Sequence, residues 1–277
     1  MSIASKQPAI AFSVLTGRFY TNYHDVGAGQ PVVMLHGSGP GVTAWSNWSM
    51  TFPLLSPHFR LLAPDLCGFG YTERAPDNGY CINGWVQQVC DFLDSMNIER
   101  AHVVGNSFGG ALALAMALQH PERVDKLVLM GSMGVGFPIT YGLDRVWGYK
   151  PSLTNMAELL EIFTYDHSFA TPELIDARYR ASLLPGCQES FESMFPMPRQ
   201  RGVDMLAVNE SRICDIQHET LIIHGLQDRV IPVATSLNLL LLMQNAQLHI
   251  FGKCGHWTQI EHTVEFCDLL EGFLASE

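Results

Sequence analysis

Residues 101–119 read AHVVGNSFGGALALAMALQ. Ala101–Val104 is a short β-branched run of the kind that fills a buried strand, and Gly110–Gln119 is an Ala- and Leu-rich helix former. Between them stands Gly105-Asn106-Ser107-Phe108-Gly109-Gly110, which is G-x-S-x-G in a strand–turn–helix setting. A turn that tight leaves no room for side chains at its flanks, which is what the glycines supply. It would lift the Ser107 hydroxyl clear of the backbone at the N-terminus of a helix, where N–H groups and positive potential gather. The plainer interpretation is a Gly-rich turn with an incidental serine, so the rest of the chain has to decide.

On either side of this stretch the same alternation repeats. Pro31–Leu35, Phe59–Ala63 and Lys126–Met130 are expected as strands, with a helix at Gly84–Met96. Thr220–His224 and Gln247–Phe251 resume the strands after a gap, and Val233–Leu242 and Glu261–Leu274 read as helices. Apolar strands separated by helices imply a mostly parallel sheet with helices on both faces. The gap, residues 134–209, changes character. It is rich in aromatics and Met, broken by Pro, free of strand-like runs, and helical at Asn155–Phe163 and Glu173–Leu184. The expected organisation is an α/β core, residues 1–133 and 210–277, interrupted by a helical cap at 134–209.

A serine hydroxyl attacks a carbonyl only when a base takes its proton, and the base needs an acid to orient it. After the strand at 220–224 comes Gly225-Leu226-Gln227-Asp228, and after the strand at 247–251 comes Gly252-Lys253-Cys254-Gly255-His256-Trp257. Asp228 alone could be a helix cap, and His256 alone an ordinary surface histidine. In the order Ser107, Asp228, His256, each beyond a strand, they emerge on the sheet edge where ligands bind and make a triad. An oxyanion needs two backbone donors. One is the N–H of Phe108, and the other belongs to the loop His36-Gly37-Ser38-Gly39-Pro40-Gly41. That loop is no dinucleotide site, because its spacing is G-x-G-x-G and Pro40 interrupts any helix start. With no H-E-x-x-H and no clustered His/Cys set, neither metal nor cofactor is expected.

Composition narrows the partners. The 277 residues are 47% hydrophobic and 16% charged, enough for a large core. The net charge of −11 repels phosphate backbones and anionic lipid, so neither nucleic acid nor a membrane surface is an expected partner. The longest apolar runs, Ala111–Leu118 and Leu239–Met243, fall short of a membrane span. The first residues, MSIASKQPAIAFSVL, lack the pattern of a signal peptide. Seven scattered cysteines with no C-x-x-C pair fit thiols in a reducing cytoplasm.

Longer stretches carry a resemblance. HGSGPGVTAWSNW (36–48), APDLCGFGYTER (63–74), GNSFGGALALA (105–115), FPITYGLDRVWGYKPS (137–152), MFPMPRQR (194–201) and GKCGHWTQIEH (252–262) together resemble the meta-cleavage-product hydrolases, carbon–carbon bond hydrolases of bacterial aromatic degradation with the α/β-hydrolase fold. The resemblance spans nearly the whole chain. It implies Ser107, Asp228 and His256 as the triad, Ser38 and Phe108 as oxyanion donors, and Asn47, Asn106, Arg178 and Trp257 at the polar end of the substrate pocket. Arg178 would otherwise read as a solvent-facing helix charge. Leu66-Cys67 departs from the apolar pair expected there, which bears on local packing. Homo-oligomer formation is left open.

The implied substrate is a 2-hydroxy-6-oxohexa-2,4-dienoate, cleaved to 2-hydroxypenta-2,4-dienoate and a small acid. In so acidic a protein its carboxylate needs a dedicated cation, and Arg offers a bidentate fork. The cap stretches resemble the branch acting on single-ring products, which implies hydrogen or a small alkyl group at C6, with 2-hydroxymuconate semialdehyde first. A carboxylesterase on the same scaffold, and a non-enzymatic ligand receptor of this fold, are the alternatives.

Overall fold

The computed structural model describes residues 9–75 and 79–276. Its strands are β1 (Phe12–Thr16), β2 (Phe19–Val26), β3 (Pro31–Leu35), β4 (Arg60–Pro64), β5 (Ala101–Asn106), β6 (Val124–Met130), β7 (Thr220–Gly225) and β8 (Ala246–Phe251). They form one sheet in the order β1-β2-β4-β3-β5-β6-β7-β8. From β4 through β3 to β8 every pairing is parallel, while β1 and β2 are an antiparallel hairpin laid on the β4 edge. That hairpin is not among the strands expected from the sequence. Its outer strand is largely exposed, with Phe12 at 57% and Leu15 at 49%, so no clean alternation marks it. Its two-residue turn, Gly17-Arg18, joins the pair Thr16↔Phe19.

The period of two along each central strand divides the core. Val33, Leu35, Val103, Leu127, Leu129 and Ile222 face one side, together with residues of α3 (Ile82–Ser95), α4 (Phe108–Gln119) and α11 (Val233–Leu242). Val32, Met34, Val104, Val128, Met130, Leu221 and Ile223 face the other, against α1 (Ala44–Trp48), α2 (Phe52–Leu55) and α13 (Thr263–Leu274). Burial on both faces is why these strands read as continuous apolar runs. The helix expected at Glu261–Leu274 is two pieces, α12 (Thr258–Glu261) and α13, broken at His262, whose φ of −128° and ψ of 48° are not helical.

Between β6 and β7 the chain builds only helices: α5 (Tyr141–Trp147), α6 (Leu153–Phe163), α7 (Pro172–Ser182), α8 (Cys187–Met194), α9 (Gln200–Leu206) and α10 (Glu210–Ile213), with a 3₁₀ turn at His167–Phe169. Thr140, Ser152 and Thr171 start three of them, each side chain accepting the backbone N–H three residues on. No helix among the described residues is long and apolar enough to cross a membrane.

Two buried polar residues fix the loops at the ends of β3 and β4. His36 Nδ1–H donates to Gly37 O at 2.8 Å, and its Nε2 accepts from Leu66 N–H at 2.9 Å. Burial pushes this imidazole down to about 4, so it stays neutral and its tautomer is set by those two partners. Asp65 accepts from the N–H groups of Ala44 and Tyr71 and from Asn22 Nδ2. Burial nevertheless raises its carboxyl to about 6, outweighing those bonds. Leu66 and Cys67, the departure noted above, are both buried.

Packing is tight at the start of α4. A β-carbon on Gly105 would collide with the Gly109 carbonyl, and one on Gly109 with the carbonyls of Leu35 and His36. Gly109→Ala is therefore expected to cost about 1–3 kcal/mol. Gly84→Ala, at an exposed site in α3 where the new atom meets only Cys81 Sγ at 3.5 Å, should instead gain about 0.4–1 kcal/mol. Urea unfolding of the two variants measures both. Equal effects would mean that the crossing of α4 over β3 is not tight.

Candidate active site

Ser107 sits between β5 and α4 with φ 55° and ψ −113°, a conformation that non-glycine residues rarely adopt. It is held there by four backbone bonds: its N–H donates to Met130 O at 2.8 Å, and its carbonyl accepts from the N–H groups of Gly110, Ala111 and Met133 at 3.0, 3.3 and 3.1 Å. Strain of this kind persists only where the surroundings over-determine it. A β-carbon on Gly37 would lie 3.3 Å from Ser107 Cβ, so the loop after β3 packs directly against the serine.

Asp228 follows β7 and His256 follows β8, each in a loop at the strand's C-terminal end. Asp228 Oδ1 accepts the N–H groups of Val230 and Ile231 at 2.7 and 2.9 Å, and Oδ2 lies 2.6 Å from His256 Nδ1. The carboxylate side chain is 1% exposed. Burial alone would raise its pKa, but the charge of His256 and hydrogen bonds from His224 and His256 outweigh it and hold the acid well below the usual carboxylate range. The bond to Asp228 fixes the His256 proton on Nδ1 and leaves Nε2 free to act as a base. The structure thus joins Asp228 to His256. Ser107 follows β5, two strands from β7 and three from β8 in the sheet, and its hydroxyl makes no hydrogen bond to the imidazole.

Phe108 opens α4, and its N–H has no intrahelical acceptor. Among the described residues neither it nor the Ser38 N–H donates to another protein group. The Phe108 side chain is buried edge-on against Trp85, with ring centroids 4.8 Å apart, so only the backbone of this residue is available. Ser38 Oγ accepts from Trp147 Nε1 of α5 at 3.0 Å. From α6, Phe163 stacks on both His256 and Trp257, and its carbonyl accepts the His256 N–H at 2.7 Å.

Gly37, Ser38, Asn47, Asn106, Arg178, His256 and Trp257 line one pocket with Ser46, Met156, Leu160, Phe163, Gln259 and Ile260. Asn47 Oδ1 accepts from Asn106 Nδ2 at 3.0 Å and from Gly37 N–H at 3.3 Å. Gln259 Nε2 donates to Asn47 O at 3.3 Å. That leaves Asn47 Nδ2, Asn106 Oδ1 and Gln259 Oε1 buried with no partner, a cost that a polar ligand would remove. Arg178, on α7, is 9% exposed. It donates to Ser46 Oγ at 2.8 Å and Ser46 O at 3.1 Å and lies 5.3 Å over the Trp257 ring. No carboxylate pairs with it among the described residues, and burial lowers its pKa to about 10, so it remains charged. Of the residues singled out in the sequence, Ser38, Asn47, Asn106, Arg178, His256 and Trp257 line this pocket; Asp228 joins it through His256, while Ser107 and Phe108 lie beside its lining residue Asn106 in the chain. Ser46, Gln259, Trp147 and Phe163 were not foreseen. Gln259, two residues after Trp257, carried a signal in its spacing, whereas the other three are known only by their contacts.

The model of the alpha/beta hydrolase fold family matches residues 30–263. The chain is 55% identical over 264 residues to a 2-hydroxy-6-oxo-2,4-heptadienoate hydrolase of Pseudomonas putida, covering 95% of this chain and 96% of the relative. It is 53% identical to a 2-hydroxymuconate semialdehyde hydrolase of a Pseudomonas species, covering 99% and 97%. Among solved structures, a meta-cleavage product hydrolase from Pseudomonas fluorescens, a serine-to-alanine mutant complexed with acetates, superimposes with a TM-score of 0.95 at 53% identity, covering 96% of this chain and 98% of that one. The likeness extends over nearly the whole of both chains, and the chain belongs to the meta-cleavage product hydrolases of the α/β-hydrolase fold.

Proposed function

We propose that this protein hydrolyses the C5–C6 bond of 2-hydroxymuconate semialdehyde or its 6-alkyl analogues in bacterial aromatic catabolism. What carries this reading is Arg178, a buried cation that pairs with no carboxylate among the described residues, in the pocket that also holds His256. The substrate carboxylate would complete it, with Trp257 beneath the guanidinium. The unpartnered atoms of Asn47, Asn106 and Gln259 would take up the neighbouring C2 oxygen. The two nearly full-length relatives act, by name, on substrates with methyl or hydrogen at C6.

A carbon leaving group is poor, so the dienol first becomes the keto form. The C2 hydroxyl gives up its proton and C5 gains one. Ser107 then attacks C6 as its proton passes to His256, and the Ser38 and Phe108 N–H groups hold the oxyanion. The C5–C6 bond breaks, its electron pair drains to the C2 oxygen at the Arg178 end, and the proton held by His256 is returned to that product as its 2-hydroxyl, which frees the imidazole. Water releases the acyl group from Ser107 as formate or acetate. The helices of residues 134–209 act as a cap that closes this chemistry off: Trp147 reaches the Ser38 loop and Phe163 covers His256.

Ser107→Ala is expected to lower kcat by about 10⁴–10⁶-fold while still binding the dienoate. Loss of the dienoate's absorbance measures turnover, and near-normal turnover in the variant would overturn the mechanism.

Arg178→Ala should cost about 2–5 kcal/mol in kcat/KM on the dienoate and far less on a neutral nitrophenyl ester. Equal losses on both substrates would make Arg178 structural and favour a carboxylesterase.

The 6-hydrogen and 6-methyl dienoates should differ by no more than about 1–3 kcal/mol in kcat/KM, with a 6-phenyl compound penalised much more. A preference for phenyl would place the enzyme in another branch and leave the reaction class standing.

A further inference from the structure

Behind the Asp228–His256 pair lies a second histidine that the reaction does not use. His224, on β7, is fully buried. Its Nε2 is 3.0 Å from Ile231 O and 3.3 Å from Asp228 Oδ2, and its Nδ1 is 2.7 Å from Ser236 Oγ on α11. A carbonyl and a carboxylate both accept, so the proton is on Nε2. With the proton there, Nδ1 can accept from the Ser236 hydroxyl. Asp228 Oδ1 is already bound by two backbone N–H groups. The second oxygen therefore lies between two imidazoles, one facing the pocket and one facing the core.

We propose that His224 is a positioning residue for catalysis, acting through Asp228: it shares the charge on Oδ2, keeps that oxygen on His256 Nδ1, and so sets how basic His256 is. The inference rests on the triad assignment above. The other groups around Asp228 cannot take this part. Cys254 precedes His256 on the same loop, and burial keeps its thiol protonated. Glu261 of α12 accepts the Gly255 N–H at 2.7 Å and is engaged there. From α11, Thr235 turns its hydroxyl to the carbonyls of Pro232 and Ser132. His224 alone among these side chains brings a ring nitrogen close to Oδ2 from behind, at 3.3 Å, with its Nε2–H shared between that oxygen and Ile231 O.

Removing the donor would leave Oδ2 with undivided charge beside His256 and stabilise the imidazolium. His224→Leu should move the acid limb of the kcat profile to higher pH by about one unit, the worth of one such hydrogen bond, with KM unchanged. His224→Gln, whose amide can donate from the Nε2 position, should bring the limb back. Ser236→Ala, which releases the tautomer, should shift it in the same direction by less. ¹⁵N NMR of the unliganded wild-type protein should show His224 as the neutral Nε2–H tautomer. An unmoved limb in both His224→Leu and Ser236→Ala, identical Gln and Leu variants, or an Nδ1–H tautomer would each overturn the proposal. If the leucine variant does not fold, the glutamine and Ser236 variants and the NMR signal decide. Turnover in Ser107→Ala would refute the triad instead, and would leave the His224 tautomer readable.

Discussion

The crossing of α4 over the ends of β3 and β5 is the constraint from which the reactive geometry follows. Carbonyls of Leu35, His36 and Gly109 occupy the space that β-carbons at positions 105 and 109 would need. The helix N-terminus therefore comes so close to the sheet that the intervening residue must take a positive φ. The residue in that conformation is Ser107, at a cost of order 1–3 kcal/mol. Bonds from Met133 N–H and to Met130 O help to hold it. Two further results come from the same crossing. The first amide of α4 is left unspent and aimed outward, and the Gly37–Ser38 loop is brought against the serine.

Electrostatics at the two ends of the pocket work in opposite senses. At one end, Asp228 is buried yet kept ionised because donors surround both of its oxygens. A negative charge is thereby stored where a transient imidazolium will form. At the other end, Arg178 carries a positive charge that no carboxylate among the described residues neutralises, held by a hydroxyl, a carbonyl and an indole face. In a chain of net charge −11 that is a local inversion of sign. It favours one end-to-end orientation of a substrate with one carboxylate. On the proposed function, binding and the regiochemistry of attack would both be set by these two groups.

The fold was legible in the sequence where residues are buried on both sides. β3, β5, β6 and β7 announce themselves as apolar runs, and the turn between β5 and α4 by glycines that no other residue could replace. The β1–β2 hairpin was not legible, because its outer face is solvent and its pattern is mixed. The break at His262 was missed for a related reason: the apolar period continues on either side of it, from Ile260 to Phe266, and hides one non-helical residue. For the site, chain order and position after strands pointed to Ser107, Asp228 and His256. Arg178 required the resemblance, since by spacing alone it is one more charge on a polar helix. Ser46, Phe163 and His224 are defined by whom they touch, and contacts between distant segments leave no mark in local pattern.

Placing all six helices α5–α10 between β6 and β7 also has a bearing on how the molecule comes together. Strand β7 pairs with β6 only after roughly ninety residues have been looped out between Met130 and Thr220. Closure entropy grows with the logarithm of loop length, about 0.6 kcal/mol per doubling, so the insertion costs the finished sheet little. Its effect falls on the order of events, because pairings that distant in sequence form slowly. Ser107 lies before that loop, while Asp228 and His256 lie beyond it. A chain in which only the first six strands have assembled holds an exposed hydroxyl with no base to activate it. Hydrolytic competence then appears in one step, with the docking of the last two strands.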